Sequence, residues 1–373
     1  VERNIEQILD TLFAKNNPNE SLFEKIKSII FDDEKRKEFI TRLRSAFLDK
    51  YDYIYKVSKK AALKNKDDRD QLASTNAHAL WLLADRANSI VSGGINNGTV
   101  VLKGGIARID PTKKSLRDAL SPLFESSEDL YRHWATWMVA NRSTNIINRS
   151  GMLTPLSEEE INRVNDYTLR SGNLEMFESV RRDYEEWNGE LVKFLKDTGV
   201  INDQLANIFT KYADYIPFYR NLDLDGTGVE GVIPEIFKEI LEKEGVDLTL
   251  GSARRLKTLF PSLTDSRVPA KMKGGEQQLD DPLTGIMKNL RASVTAGMRN
   301  LAAQQTMKDA VDSGIAKEVF ADEDGYVDPS YYTIRVNGEE RYFDVSDPLL
   351  VAAIEGFTRP TVSTSPFFAA PAT

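Results

Sequence analysis

The chain predicts a mainly α fold, an elongated multi-helix assembly carrying two small β-hairpin inserts. Three observations point there. Apolar residues recur at three- and four-residue spacing through most of the sequence. Short β-branched or apolar runs about Gly104-Gly105, and an alternating run about Asn337-Gly338, are hairpin chemistry. The stretch 281–313 reads as one long helix, opened by an aspartate cap with Pro282 at the first helical position.

Taken in order, Ile5, Ile8, Leu9, Leu12 and Phe13, then Phe23, Ile26, Ile29 and Ile30, then Phe39, Ile40, Leu43 and Phe47 give three helices. They are separated by Asn17-Pro18-Asn19 and by Phe31-Asp32-Asp33, whose aspartates suit a helix N-cap. A fourth helix spans 70–91, with Trp81, Leu82 and Ala84 toward the core and Ser92-Gly93-Gly94 ending it as a turn. The run GTVVLKGGIARID at 98–110 is the first hairpin. Helices resume at 116–120 and at 129–150, where Tyr131, Trp134, Trp137, Met138 and Val139 form one side. Ser157 followed by Glu158-Glu159-Glu160 is an N-cap whose acidic first turn complements the helix dipole. Gly172 and Gly199 punctuate the next stretch, and Pro234 opens a short helix through Ile236, Phe237, Ile240 and Leu241. In the long helix at 281–313, the small residues Ala292, Ala296, Gly297, Ala302 and Ala303 allow close helix approach. The run YYTIRVNGEERYFDV at 331–345 is the second hairpin, and Ser346-Asp347-Pro348 caps a short final helix. The resulting organisation is a helical region at 1–92, a hairpin insert and connection at 93–125, a helical module at 126–220, a linker at 221–278, and the long helix, hairpin and tail at 279–373.

Composition narrows the function classes. The chain has 373 residues, 41% hydrophobic and 28% charged, enough to bury a sizeable core. Zero cysteines exclude disulfides and thiolate chemistry, and two histidines, His78 and His133, leave few ligands for a transition metal, so no cofactor is expected. A formal net charge of −8 argues against a strongly basic nucleic-acid surface, though a local stripe is compatible with it. The start VERNIEQILD lacks the pattern of a signal peptide, and the Pro- and Ser-bearing end TSPFFAAPAT gives the expectation of a segment cut from something longer.

Several strings that could carry chemistry fail on context. Asp223-Leu224-Asp225-Gly226-Thr227 matches the nucleophile loop of haloacid-dehalogenase-like phosphotransferases. That chemistry needs the first aspartate at the end of a buried parallel strand, and a turn rich in Asp and Gly is the better reading. Counted as a calcium loop, the same string places Pro234 where a bidentate glutamate belongs. The pair Glu125-Ser126 lacks the glycine and glutamine elements that would follow it in a lytic transglycosylase. His133 beside Trp134, and likewise His78, fit packed helix faces better than catalysis. Arg254, Arg255, Lys257, Arg267, Lys271 and Lys273 form a basic stretch, a candidate phosphate-contacting stripe. Aromatics suited to base stacking are nearly absent there apart from Phe260, which favours a solvated connection.

The most distinctive segment is the helical pattern from Tyr184 that ends in Tyr215-Ile216-Pro217-Phe218-Tyr219-Arg220. Pro217 stops the helix and holds Ile216 extended, so Tyr215, Phe218 and Tyr219 are delivered on a stiff segment, with Arg220 placed to stack or to pair with a carboxylate. With Trp187, these residues are the interaction candidates.

Set beside Trp187-Asn188 and the YIPFYR block, three further pieces carry a family resemblance: KMKGGEQQLDDPLTGIMKNLRASVTAGMRN at 271–300, YYTIRVNGEERYFDVSDPLL at 331–350, and the closing TSPFF. Together they resemble the large polyvalent, multidomain proteins of tailed phages, several of which are similar to internal virion or ejection proteins. The resemblance covers about two thirds of the chain, 129–368. Where such proteins continue past Pro-Phe into an Asn and Arg-Asp element, this chain reads Phe367-Phe368-Ala369-Ala370-Pro371. The resemblance implies a non-enzymatic helical module packed inside the capsid and transferred to the host envelope or cytoplasm with the genome. It implies contacts with portal, core or ejection proteins and with further copies of itself, alongside phage DNA and the host envelope. No catalytic residue comes with it. Two other expectations stand beside this one: a scaffold segment of a multidomain phage enzyme, such as a virion-associated polymerase, peptidase or transglycosylase, and a nucleic-acid-contacting module.

Overall fold

In a computed structural model, the chain is described at residues 52–65, 76–124, 128–150, 156–211, 282–321, 327–328, 330–347, 350–351 and 353–354. Nine helices and two small antiparallel sheets lie among these residues, so the fold is mainly α with small β inserts. Helix α1 covers Asp52–Asn65, α2 Ala77–Asp85 and α3 Ala87–Asn96. Asn76 opens α2 by accepting the Ala79 N–H at 2.9 Å, satisfying one of the donors a helix start leaves over.

This replaces the single helix expected at 70–91. Arg86 leaves helical geometry (φ −90°, ψ 15°) and serves as the end of α2 and the start of α3. Leu82, expected in the core, is exposed. Gly93 and Gly94 are not turns: both are buried inside α3, where a Cβ would stand 2.5 Å from Ile109 and 2.9 Å from Val100. Glycine is used here to bring a hairpin against a helix, a role that sequence spacing does not distinguish from helix termination.

That hairpin is β1 (Thr99–Lys103) and β2 (Ile106–Asp110), with Lys103 opposite Ile106 across Gly104-Gly105, both at positive φ. Helix α4 (Leu116–Phe124) follows, then α5 (Glu128–Ser150) and α6 (Glu158–Arg170). The expected cap of α6 is a full capping box, Ser157 and Glu160 each bonding the other's backbone N–H. The aromatic face expected on α5 is buried, but so are His133, Ala135, Thr136 and Ala140, because α4 and α6 both pack on this helix. A one-sided stripe is therefore corrected to a helix enclosed on several sides.

Helix α7 (Leu174–Asp197) ends at Gly199, whose φ of 74° lets the chain turn into α8 (Asp203–Lys211). Helix α9 (Pro282–Ser313) is about 48 Å long at 1.5 Å per residue and packs against α1, α2, α3 and α7. Leu283, Ile286, Leu290, Val294 and Ala302 on α9 are buried at 1% exposure or less, so this helix runs along the core. The small residues expected to permit close approach do so at Gly297, where a Cβ would lie 2.5 Å from the Phe194 ring.

The second insert is larger than a hairpin. Strands β4 (Tyr332–Val336) and β5 (Glu339–Val345) form the expected pair about Asn337 (φ 53°) and Gly338 (φ 79°). Strand β3 (Ala316–Val319) joins the far edge of β5, giving the order β3-β5-β4. Gly314, at φ 80°, reverses the chain after α9 so that β3 can pair, and Ser346 N–H closes on Ile315 O at 2.9 Å.

Candidate functional site

Asn300 and Gln304 lie one turn apart on α9, hence on the same face. Across from them are the end of α7 and the edge of β4. Asn300 Nδ2 donates to Thr198 O at 2.9 Å and to Arg335 O at 3.0 Å, while its Oδ1 accepts the Arg335 N–H at 3.2 Å. Gln304 Nε2 donates to the same two carbonyls, at 3.2 and 2.6 Å. The antiparallel pattern explains why these groups are available. Val336 and Glu339 close the turn, so the next pair, Arg335 and Glu340, directs its backbone groups away from the ladder.

Two glycines complete the junction. Gly338 N–H donates to Gly199 O at 2.9 Å, laying the hairpin tip on the α7–α8 turn. The Arg335 side chain is buried there, donating to Val200 O at 3.3 Å and pairing with Glu340 at 3.3 Å. Beside the junction a groove of about 450 Å³ opens between α9 and the three-stranded sheet. Leu301, Met307, Val311, Ile334 and Phe343 supply its apolar lining, and Gln304 belongs to both junction and groove. Lys308 and Asp312 on α9, and the Arg341–Glu318 pair at 3.2 Å on the sheet, also line it.

A second polar cluster ties α1 and α2 to α9. Asp309 is fully buried, accepting from the Ser58 hydroxyl and from Gln305 Nε2 at 2.9 Å. One turn away, Trp81 Nε1 donates to Thr306 Oγ1 at 2.9 Å. Buried carboxylates and hydroxyls bonded in this way fix the register of neighbouring helices.

Of the residues singled out from sequence, Trp187 is placed in the core and not on an interaction surface. It is 3% exposed, lies 6.1 Å from the Tyr184 ring, and donates Nε1–H to Gly94 O at 3.1 Å. Tyr215, Pro217, Phe218, Tyr219 and Arg220 lie outside the described residues, as do Arg254, Arg255, Lys257, Arg267, Lys271 and Lys273, the Asp223 to Thr227 string, and Glu125-Ser126. His78 packs edge-on against Tyr55 at 5.5 Å, and burial lowers its pKa. His133 is buried between Tyr167 and Phe177, and burial pushes its pKa down to about 4.

Sequence reasoning missed Asn300, Gln304 and Asp309. The one available signal was a pair of amides at helical spacing in a helix otherwise lined with small residues. Among the described residues no group of three or more His, Asp or Glu side chains is placed to hold a metal ion. None of the described helices is long and apolar enough to cross a membrane. Compared with protein-family models, with curated proteins and with solved structures, the chain matches none.

Proposed function

We propose that the chain is a structural, non-catalytic module of an internal virion protein of a tailed phage, packaged in the capsid and delivered with the genome. In this reading its helical surfaces contact portal, core or ejection proteins and further copies of the same chain. One observation supports it above others. Three of the separate pieces that carry the resemblance meet at one place: the helix bearing Trp187-Asn188 reaches Gly199, the 271–300 piece ends at Asn300, and the 331–350 piece contributes Arg335 and Gly338. Asn300 bonds both of its neighbours, and Gly338 bonds Gly199. Pieces that were scattered in sequence thus share one packed junction, as parts of a single inherited module would. The groove beside that junction, apolar between two charged margins, offers surface for a protein neighbour.

Mass spectrometry of particles of the phage that encodes this chain, and of their emptied ghosts, tests the reading. Peptides from 184–220 and 281–300 should be present in full particles and depleted from ghosts. Their absence from both would remove the virion assignment.

A further inference from the structure

Helix α6 is attached unevenly. Among the described residues it packs chiefly on α5, burying Ile161, Val164 and Thr168, and is followed by the turn at Gly172, whose φ of 72° favours glycine. Helix α7, by contrast, is fixed by β1, α4, α8 and α9. Across the seam between α5 and α6, His133 Nε2 and Thr168 Oγ1 are 2.8 Å apart. The tautomer follows from counting protons. The single hydroxyl proton of Thr168 is donated to Val164 O at 2.8 Å, so its oxygen can only accept from His133, and Nε2 must carry the imidazole proton. Nδ1 is then the nitrogen left to take up a proton, and the Nε2–H bond to Thr168 is made by the imidazole and the imidazolium alike.

Protonation at Nδ1 therefore acts through charge alone, placing a cation on a residue that is only 5% exposed. Tyr167 faces the ring from α6 at 4.7 Å, and Phe177 meets it edge-on from α7 at 4.8 Å. Tyr167 is the titratable group on α6 at this contact. From α7, the Arg181 guanidinium lies 5.9 Å from the ring centroid of Trp137, one turn along α5 from His133, and is paired with Glu185 at 3.8 Å. On α5 itself, Asp129 lies one turn before His133 and Arg132 beside it. We infer that α6 is an acid-released flap: protonation of His133 uncouples α6 from α5 and uncovers the α5 surface on which Ile161, Val164 and Thr168 sit.

The sign follows from linkage. In the open flap the imidazole is solvated and titrates near its ordinary 6.5, while in the closed flap burial holds it at about 4. The closed state is thus fully favoured above pH 6.5 and loses ground as pH falls toward 4. Those two values make opening about twentyfold more populated at pH 5 than at pH 7, and about thirtyfold more than at pH 7.5.

Hydrogen–deuterium exchange of the full chain at pH 7.5 and 5.0, corrected for intrinsic exchange, tests this. Protection of 158–170 should fall about thirtyfold, that of 283–313 should hold, and His133→Gln, which donates to Thr168 without titrating, should retain the protection of 158–170. Constant protection of α6 in the wild type overturns the proposal. The same loss in His133→Gln also overturns it, assigning the effect to carboxylates such as Glu160 in the capping box. Should that variant not fold, the imidazole titration of wild-type His133 followed by NMR must track the loss of α6 protection, and a mismatch overturns the proposal.

Discussion

Asn300 pairs with the backbone of Arg335 as a neighbouring strand would, donating to its carbonyl at 3.0 Å and accepting its N–H at 3.2 Å. A helix side chain thus continues the hydrogen bonding of a sheet edge. Exposed edges of this kind template unwanted pairing, and natural proteins cover or charge them. Here the long helix provides the cover, and the same amide reaches Thr198 O to fasten the end of α7.

Asn300→Ala should therefore cost more than an average surface substitution. The carbonyls of Thr198 and Arg335 keep Gln304, but the Arg335 N–H loses this acceptor. A buried donor left in that way costs about 1–3 kcal/mol. Asn300→Asp should cost at least as much at pH 7, because a carboxylate then faces two carbonyl oxygens. Its deficit should shrink as pH falls through the carboxylate range, where the protonated form can donate again. Urea unfolding of both variants at pH 7 and pH 4.5 checks this, and equal deficits for Asp at both pH values would contradict the bonding described.

Two hairpin glycines with similar backbone angles should respond differently to alanine. Gly104 has φ 64° with nothing within 4 Å of a built Cβ, so Gly104→Ala carries only the left-handed penalty, about 1–2 kcal/mol. Gly338 has φ 79°, and its Cβ would stand 2.4 Å from the backbone nitrogen of Asn202. Backbone cannot swing aside as a side-chain tip can. Gly338→Ala should cost about 3 kcal/mol or more, with the clash added to the same penalty. Thermal unfolding of the two variants side by side measures the difference directly.

What was legible in the sequence was local. The helix start at Pro282, the Ser157 capping box, the Asn337-Gly338 turn and the Gly104-Gly105 turn each depend on a few adjacent residues whose chemistry permits few alternatives. What escaped depends on residues far apart. Whether Gly93-Gly94 ends a helix or admits Ile109 and Val100 is decided by where the β1–β2 hairpin lands. Strand β3 has little alternation and is a strand because β5 offers it an edge. The Asn300 amide looks like any polar helix residue until β4 lies beside it. Trp187 was conspicuous for its type, and conspicuous aromatics are as often core anchors as contact residues.

Trp187 offers a third test. Its indole N–H satisfies Gly94 O, in the last turn of α3, where helix carbonyls have no partner farther along the chain. Trp187→Phe keeps an aromatic ring but removes the donor and some volume. The expected loss is about 1–2 kcal/mol, combining one net hydrogen bond with a small cavity. Amide exchange should accelerate at the C-terminal turn of α3 before it does in α9. Uniform acceleration across both helices would mean that the indole serves general packing and not this carbonyl.

Gly297 presents two opposed effects whose magnitudes decide the outcome. In an exposed helix interior, Gly→Ala stabilises by about 0.5–1 kcal/mol through backbone entropy. Here the new Cβ would lie 2.5 Å from Phe194 Cε1, 2.9 Å from Cζ and 3.0 Å from Thr198 Oγ1. Phe194 is 1% exposed, so its ring has no empty space to rotate into, and overpacking of a dense core costs about 1–3 kcal/mol. Gly297→Ala should therefore destabilise by about 1–2 kcal/mol, the reverse of the propensity expectation. Replacing the ring reverses the balance: in a Phe194→Leu background, adding Gly297→Ala should be neutral or stabilising, as the methyl fills space the ring has left. A double-mutant cycle by urea unfolding reads this coupling. If alanine at 297 destabilises equally in both backgrounds, then the contact between α7 and α9 is not what selects glycine at this position.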